Sequence, residues 1–166
     1  SDEKYWRDQK WDVGSWVHPP LGKWQIALGI KAFGMNSFGW RFSSAVAGTL
    51  VVTLTAILAQ LLWGSALWTF VVGLLMAVED LNVVMSRTGL LDIHLTFWIM
   101  AGFVLFVLDR RWIERRQAAA AAAAEEPDGG DDPDPPPERS ASVLSPVWRP
   151  YRFAAGAAFG AACAVK

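Results

Sequence analysis

Side chains able to do chemistry gather in a few short stretches of this chain, the densest being His18-Pro19-Pro20-Leu21-Gly22-Lys23. Consecutive prolines fix φ and remove two backbone donors, which makes this a rigid, non-helical corner. It holds an imidazole and an ammonium a few residues apart, where the first long apolar run begins. Polar groups so placed suit an enzyme handling an anionic, lipid-linked substrate. The plain alternative is a proline-capped helix start whose Lys23 snorkels to the interface. Glu79-Asp80, and Arg87 followed by Asp92, sit in or beside apolar sequence, where charge is costly and signals function or pairing. A guanidinium can grip a carboxylate or a phosphate in bidentate fashion. Arg87 therefore either pairs with Asp80 or Asp92 to hold helix ends together, or meets an anionic ligand. His94 is expected to bond a backbone group at a helix start. Asp2-Glu3, taken alone, is a charged end.

The elements that must position these groups follow from apolar runs and their breaks. Residues 1–40 are polar and aromatic, with Trp6, Trp11, Trp16, Trp24 and Trp40 among charges, as suits a headgroup region. Leu21 to Phe33 predicts a helix lying on or entering the interface, broken by Gly34 and Asn36-Ser37. Three spans are predicted within 41–116: Phe42 to Trp63, Ala66 to Val84 after a Gly64-Ser65 turn, and Leu90 to Leu108. Arg110, Arg111, Arg115 and Arg116 mark the cytoplasmic side by the positive-inside bias, so Arg87 and residues 1–40 are expected outside. Ala118 to Ala124 extend the third helix, and the Pro/Asp/Gly-rich remainder of 117–147 is expected to be a disordered cytoplasmic linker. Residues 148–166 read as the start of a further span. Its apolar run is only about thirteen residues against the roughly 20 needed. With no initiator Met, the sequence reads as an internal piece of a longer polytopic protein.

Composition excludes several classes. The 166 residues are 53% hydrophobic, and ten Trp and nine Phe against two Tyr point to a membrane protein. Lys and Arg total 15 against 16 Asp and Glu, so no global field argues for nucleic acid. Cys163 is the sole cysteine, which rules out an internal disulfide and a thiolate metal set; in its small-residue run it reads as a packing residue. No HExxH, CxxC, Walker-type or GxGxxG pattern occurs, so metalloprotease, NTPase and dinucleotide chemistries find no support, and no metal site is predicted.

In order and spacing, Asp2-Glu3-Lys4-Tyr5-Trp6, His18 to Lys23, Phe38-Gly39-Trp40-Arg41 and Ser86-Arg87-Thr88-Gly89-Leu90-Leu91-Asp92-Ile93 resemble the bacterial polyprenyl- or dolichyl-phosphate-mannose protein O-mannosyltransferases. Arg149-Pro150-Tyr151-Arg152 and the small-residue run after it resemble the next helix of that family. The resemblance implies an all-α polytopic fold of the GT-C type in the plasma membrane, with its active site on the extracytoplasmic face. It implies transfer of mannose, with inversion, from a polyprenyl-phosphate-mannose donor to Ser or Thr hydroxyls of exported polypeptides. By motif match Asp2 and Glu3 are the catalytic acidic pair, and a carboxylate there would take the acceptor's hydroxyl proton. Arg87, Lys23 and His18 fall to the donor phosphate, with Pro19, Pro20 and Asp92 shaping the site; the donor is the only small molecule implied. One departure is Glu79-Asp80, where relatives usually carry Asp-Gly. Two other readings stay open: a GT-C transferase for arabinose or aminoarabinose, and a noncatalytic subunit or transporter fragment in which Glu79, Asp80 and Arg87 line an ion path. The repeated halves of a transporter are not visible.

Overall fold

A computed structural model describes residues 18–125 and 149–165; Asp2, Glu3 and the linker expected up to 147 lie outside the described residues, apart from 117–125. Every regular element among the described residues is a helix, and the protein is an all-α polytopic membrane protein.

Pro19 is extended at φ −54° and ψ 157°, and Pro20 opens helix α1 (Pro20–Phe33) at the one position where a missing N–H costs nothing. Trp24 and Leu28 are exposed on α1. The turn after it is built on Asn36, which donates to the Phe33 carbonyl at 2.7 Å and accepts from the N–H groups of Phe38 and Gly39. Helix α2 (Gly39–Trp63) then runs for 25 residues, about 37 Å, enough to cross a bilayer. It stops at Gly64, whose φ of 65° suits a residue without Cβ. Helix α3 (Ala66–Val78) returns along α2 and buries none of its residues; Leu67, Phe70, Leu74 and Val78 are exposed.

Here the structure departs from an unbroken second span ending near Val84. The helix stops at Val78, Glu79 is extended at φ −63° and ψ 122°, and helix α4 (Asp80–Thr88) leaves at a bend of 55°. The Glu79 carboxylate is what breaks it, accepting the Asn82 N–H at 2.6 Å and so capping the new helix. Among the described residues, two helices are thus long and apolar enough to cross a membrane, or three if the bent pair counts as one.

Helix α5 (Leu91–Glu125) has 35 residues and reaches about 52 Å, so only its first half fits the hydrocarbon layer. It continues through Ala118–Ala124, moving the expected linker boundary from 117 to beyond Glu125. Alanine propagates a helix that already exists at almost no cost. Helix α6 (Pro150–Cys163) packs along α5 through the stripe Ala155, Ala158 and Ala162, which Val165 extends, with Phe159 lying over Gly102. Cys163 stands next to that stripe and is exposed, which corrects its assignment as a packing residue. The small buried core consists of Ala47, Val51 and Ile93, flanked by Met76, Met85, Phe97 and Met100.

Each end of the bundle is tied differently. At one, the Arg149 guanidinium bonds both oxygens of Asp109, which is 1% exposed, and Arg111 donates to the Leu61 carbonyl. At the other, the Leu21 N–H of α1 donates to the Ala164 carbonyl at 3.2 Å, and Val165 packs beneath Gly22.

Candidate functional site

The second end collects the predicted polar residues. His18 and Pro19 are half-buried just ahead of α1, Pro20 begins it, and Lys23 lies half-buried in its first turn. Gly22 helps set their position: a Cβ there would lie 2.7 Å from Leu91 Cδ2 and 3.1 Å from Val165 Cγ1, so a larger residue would make those two side chains shift where α1 sits on the start of α5. Asp92, half-buried, is in that first turn of α5. The proline corner and the Leu91-Asp92 turn are therefore brought together by packing.

Arg87 arrives from the other direction. It is exposed in the last turn of α4, where a cation complements the helix dipole, with Asp80 in the opposite first turn. Gly89 follows at φ 65°, and a Cβ on it would meet the Trp40 ring at 2.5 Å, which holds the Ser86-to-Asp92 turn against the start of α2. The Arg41 guanidinium stacks over the same indole, 4.8 Å from its centroid. No ion pair among the described residues joins Arg87 to Asp80 or Asp92, so the internal pairing that the sequence left open is not formed. His18, Lys23 and Arg87 lie at the same end of the bundle.

Beside Arg87 an open groove of about 450 Å³ runs between α2 and α4, lined by Thr49, Thr53, Asn82 and Ser86 among others. Its depth follows from Gly48, where a Cβ would lie 2.5 Å from that of Ser86, so α4 presses directly onto the α2 backbone. The hydroxyls spend their protons on helix carbonyls: Thr49 on Ala45 at 2.9 Å, Thr53 on Thr49 at 3.0 Å and Ser86 on Asn82. With those hydroxyl protons engaged, the exposed cation at the groove is Arg87, whose guanidinium N–H groups suit an anion. Asp2 and Glu3 cannot be placed against it, since they lie outside the described residues.

Sequence reasoning missed Asn82. It is 7% exposed, its N–H is capped by Glu79, and its amide nitrogen reaches the Met76 carbonyl at 3.5 Å, bridging the break in the second span. A helix broken at membrane depth must re-satisfy its freed backbone groups. The signal was an Asn three residues after an acid inside an apolar run. His94 behaves as expected: its Nδ1 meets the Leu90 carbonyl at 3.3 Å.

Residues 13–123 match the family described as dolichyl-phosphate-mannose-protein mannosyltransferase. A polyprenol-phosphate-mannose–protein mannosyltransferase of Mycobacterium tuberculosis is 34% identical over 183 residues, covering 99% of this chain and 32% of the relative. The protein of the same description in Mycolicibacterium smegmatis is 35% identical over 177 residues, covering 99% and 32%. An undecaprenyl phosphate-alpha-4-amino-4-deoxy-L-arabinose arabinosyl transferase of Pseudomonas fluorescens is 38% identical over 97 residues, 56% of this chain and 17% of the relative. No solved structure matches. The chain spans about a third of the length of the mannosyltransferases it resembles. A match over most of the chain, on the segment that carries the proline corner and the Arg87 turn, makes it a member of the dolichyl-phosphate-mannose-protein mannosyltransferase family.

Proposed function

We propose that the protein containing this chain transfers mannose from a polyprenyl-phosphate-mannose to Ser or Thr hydroxyls of exported polypeptides. The reaction takes place on the extracytoplasmic face of the plasma membrane. The observation that carries the reading is Arg87, a guanidinium at the head of a polar groove in an apolar surface, with neither Asp80 nor Asp92 neutralising it. In the reaction, a carboxylate of Asp2 takes the acceptor hydroxyl's proton as its oxygen attacks the anomeric carbon. The bond from that carbon to the phosphate oxygen breaks, and its electron pair leaves with the polyprenyl phosphate. Arg87 absorbs the charge that grows there, with Lys23 and His18 contributing from the proline corner and Glu3 supporting Asp2. A single in-line displacement inverts the anomeric centre, and no second nucleophile is needed. Pro19, Pro20 and Asp92 keep the corner and the Arg87 turn in register.

A second reading, transfer of aminoarabinose to a lipid, is favoured by the shorter arabinosyl transferase match. It shares the polyprenyl phosphate leaving group, so Arg87 would serve it equally. The two are separated by supplying the full-length protein in membranes with labelled polyprenyl-phosphate-mannose or its aminoarabinose counterpart, with an acceptor peptide. Mannose transfer to peptide is expected. Label appearing only from the aminoarabinose donor, on lipid, would replace the first reading with the second.

A further inference from the structure

The opposite end of the bundle carries a charged face that the reaction above does not use. Beyond Asp109, α5 runs on through Arg110, Arg111, Trp112, Glu114, Arg115 and Arg116. Helical geometry sorts these into two faces, because side chains four residues apart are neighbours and those two apart are not. Arg110 and Glu114 share one face and pair at 3.7 Å. Arg111 and Arg115 line up on the other, beside Trp112 and Arg116; the Arg116 guanidinium lies over the Trp112 ring, 4.2 Å from its centroid. Arg111 donates to the Leu61 carbonyl and keeps further N–H groups to offer. Arg115 and Arg116 are exposed, and no carboxylate among the described residues pairs with either. Three guanidiniums within two turns repel one another and call for an anion.

Depth says which anion. From Asp92 to Arg111, α5 rises about 28 Å, close to the thickness of the hydrocarbon layer. The bond from Arg111 to Leu61 puts the end of α2 at the same level, where Trp63 and, in the first turn of α3, Trp68 are exposed, as suits rings in a headgroup region. Arg116 lies about 7.5 Å farther along the helix, so the basic face spans the headgroup layer, itself about 5–8 Å deep. A lipid phosphate sits at that depth; a nucleic acid or a soluble acidic protein does not. Phosphatidylcholine carries the same phosphate with its own ammonium, so a face of unpaired cations selects net negative charge. The chain's own acidic run is a rival counter-charge, but it starts at Glu125, about 14 Å past Arg116 and clear of that layer. We infer that Arg111, Trp112, Arg115 and Arg116 bind an anionic phospholipid of the phosphatidylglycerol type, its phosphate held by the three arginines and its glycerol ester region against Trp112. The inference stands apart from the transferase reading.

The test uses the full-length protein in phosphatidylcholine vesicles carrying a trace of diazirine- and alkyne-tagged phosphatidylglycerol, or phosphatidylcholine with the same tagged chain. After photolysis, the phosphatidylglycerol probe is expected to label peptides around Trp63 and Trp112 at least about fivefold more than the phosphatidylcholine probe. Untagged phosphatidylglycerol should compete, whereas soluble glycerol phosphate in excess should not; displacement by glycerol phosphate would mean an ion site and overturn the proposal. Arg115→Gln and Arg116→Gln should each lower the labelling about fivefold. Arg110→Gln removes an equal charge from the paired face and should change it by less than about twofold. Equal labelling by the two probes overturns the proposal, as does a loss in Arg110→Gln as large as that in Arg115→Gln, the result for a general pull of positive charge. Selective labelling that appears only after Asp128, Asp131, Asp132 and Asp134 are changed to Asn also overturns it, since the acidic run is then the occupant. If the arginine variants do not fold, the two probes on the wild-type protein decide the matter.

Discussion

Arg87 ends a helix that exists only because Glu79 breaks the one before it, and the helix dipole alone would justify a cation there. Dipole complementation is satisfied by Lys as well as Arg, whereas bidentate recognition of a phosphate is not. Arg87→Lys in the full-length protein should therefore leave folding intact and lower transfer by about 1.5–3 kcal/mol of lost charge-assisted bonding, or roughly tenfold to a hundredfold. Initial rates at saturating acceptor check this, and full activity of the Lys variant would leave Arg87 a structural charge. The Arg87 turn and the backbone-bonded His94 were legible in the sequence because each rests on local rules, whereas the expected non-helical corner over residues 18–23 is limited to His18 and Pro19: Pro20 to Lys23 are already the first turn of α1, the proline-capped helix start that was the plain alternative. Asn82 was not legible, since its role depends on where a helix breaks and on which carbonyl of α3 is left open.

Among the elements, α6 is held by the partner it reaches at each end. Asp109 and Arg149 are 40 residues apart in sequence, and their pairing could not be read from it; the arginines beyond Asp109 were legible only as a sidedness signal. Asp109 is buried, so removing Arg149 strands a carboxylate. Arg149→Ala should destabilise the protein by about 3–5 kcal/mol, seen as a lower thermal unfolding temperature in detergent, while Arg149→Lys should lose less. Equal stability of Arg149→Ala and wild type would mean that the pair does not hold α6 to α5. The other end carries the consequence for function. Ala164 takes the Leu21 N–H and Val165 seats Gly22, so α6 is part of what holds the proline corner to the start of α5. The unbroken second span was misjudged because mean hydropathy registers two charges as a cost and not as a cap. Cys163 was misjudged because a run of small residues does not reveal which of its faces is buried.

At the scale of the whole molecule, the two ends of the bundle are separated by the first half of α5. From Asp92 to Arg110 is 18 residues on one helix, about 27 Å, close to the thickness of the hydrocarbon layer. All roles assigned to His18, Lys23 and Arg87 require their end to be outside the cell. In the full-length protein with Cys163→Ala and any other cysteines removed, a single cysteine at exposed Ser37 should react with an impermeant thiol reagent on intact cells. One at exposed Gln117 should react only after permeabilisation. The opposite pattern would put Arg87 on the wrong side for modifying exported chains.

The central claim is that this end of the bundle serves a displacement at the anomeric carbon of a mannosyl lipid, with a carboxylate of the amino-terminal stretch as base. Its most direct measurement is transfer of labelled mannose from polyprenyl-phosphate-mannose to an acceptor peptide by full-length wild-type protein and by Asp2→Asn, at matched membrane levels. The account predicts donor binding by both and transfer by the wild type alone, because the amide cannot take the hydroxyl proton. Transfer by Asp2→Asn at close to the wild-type rate would contradict it.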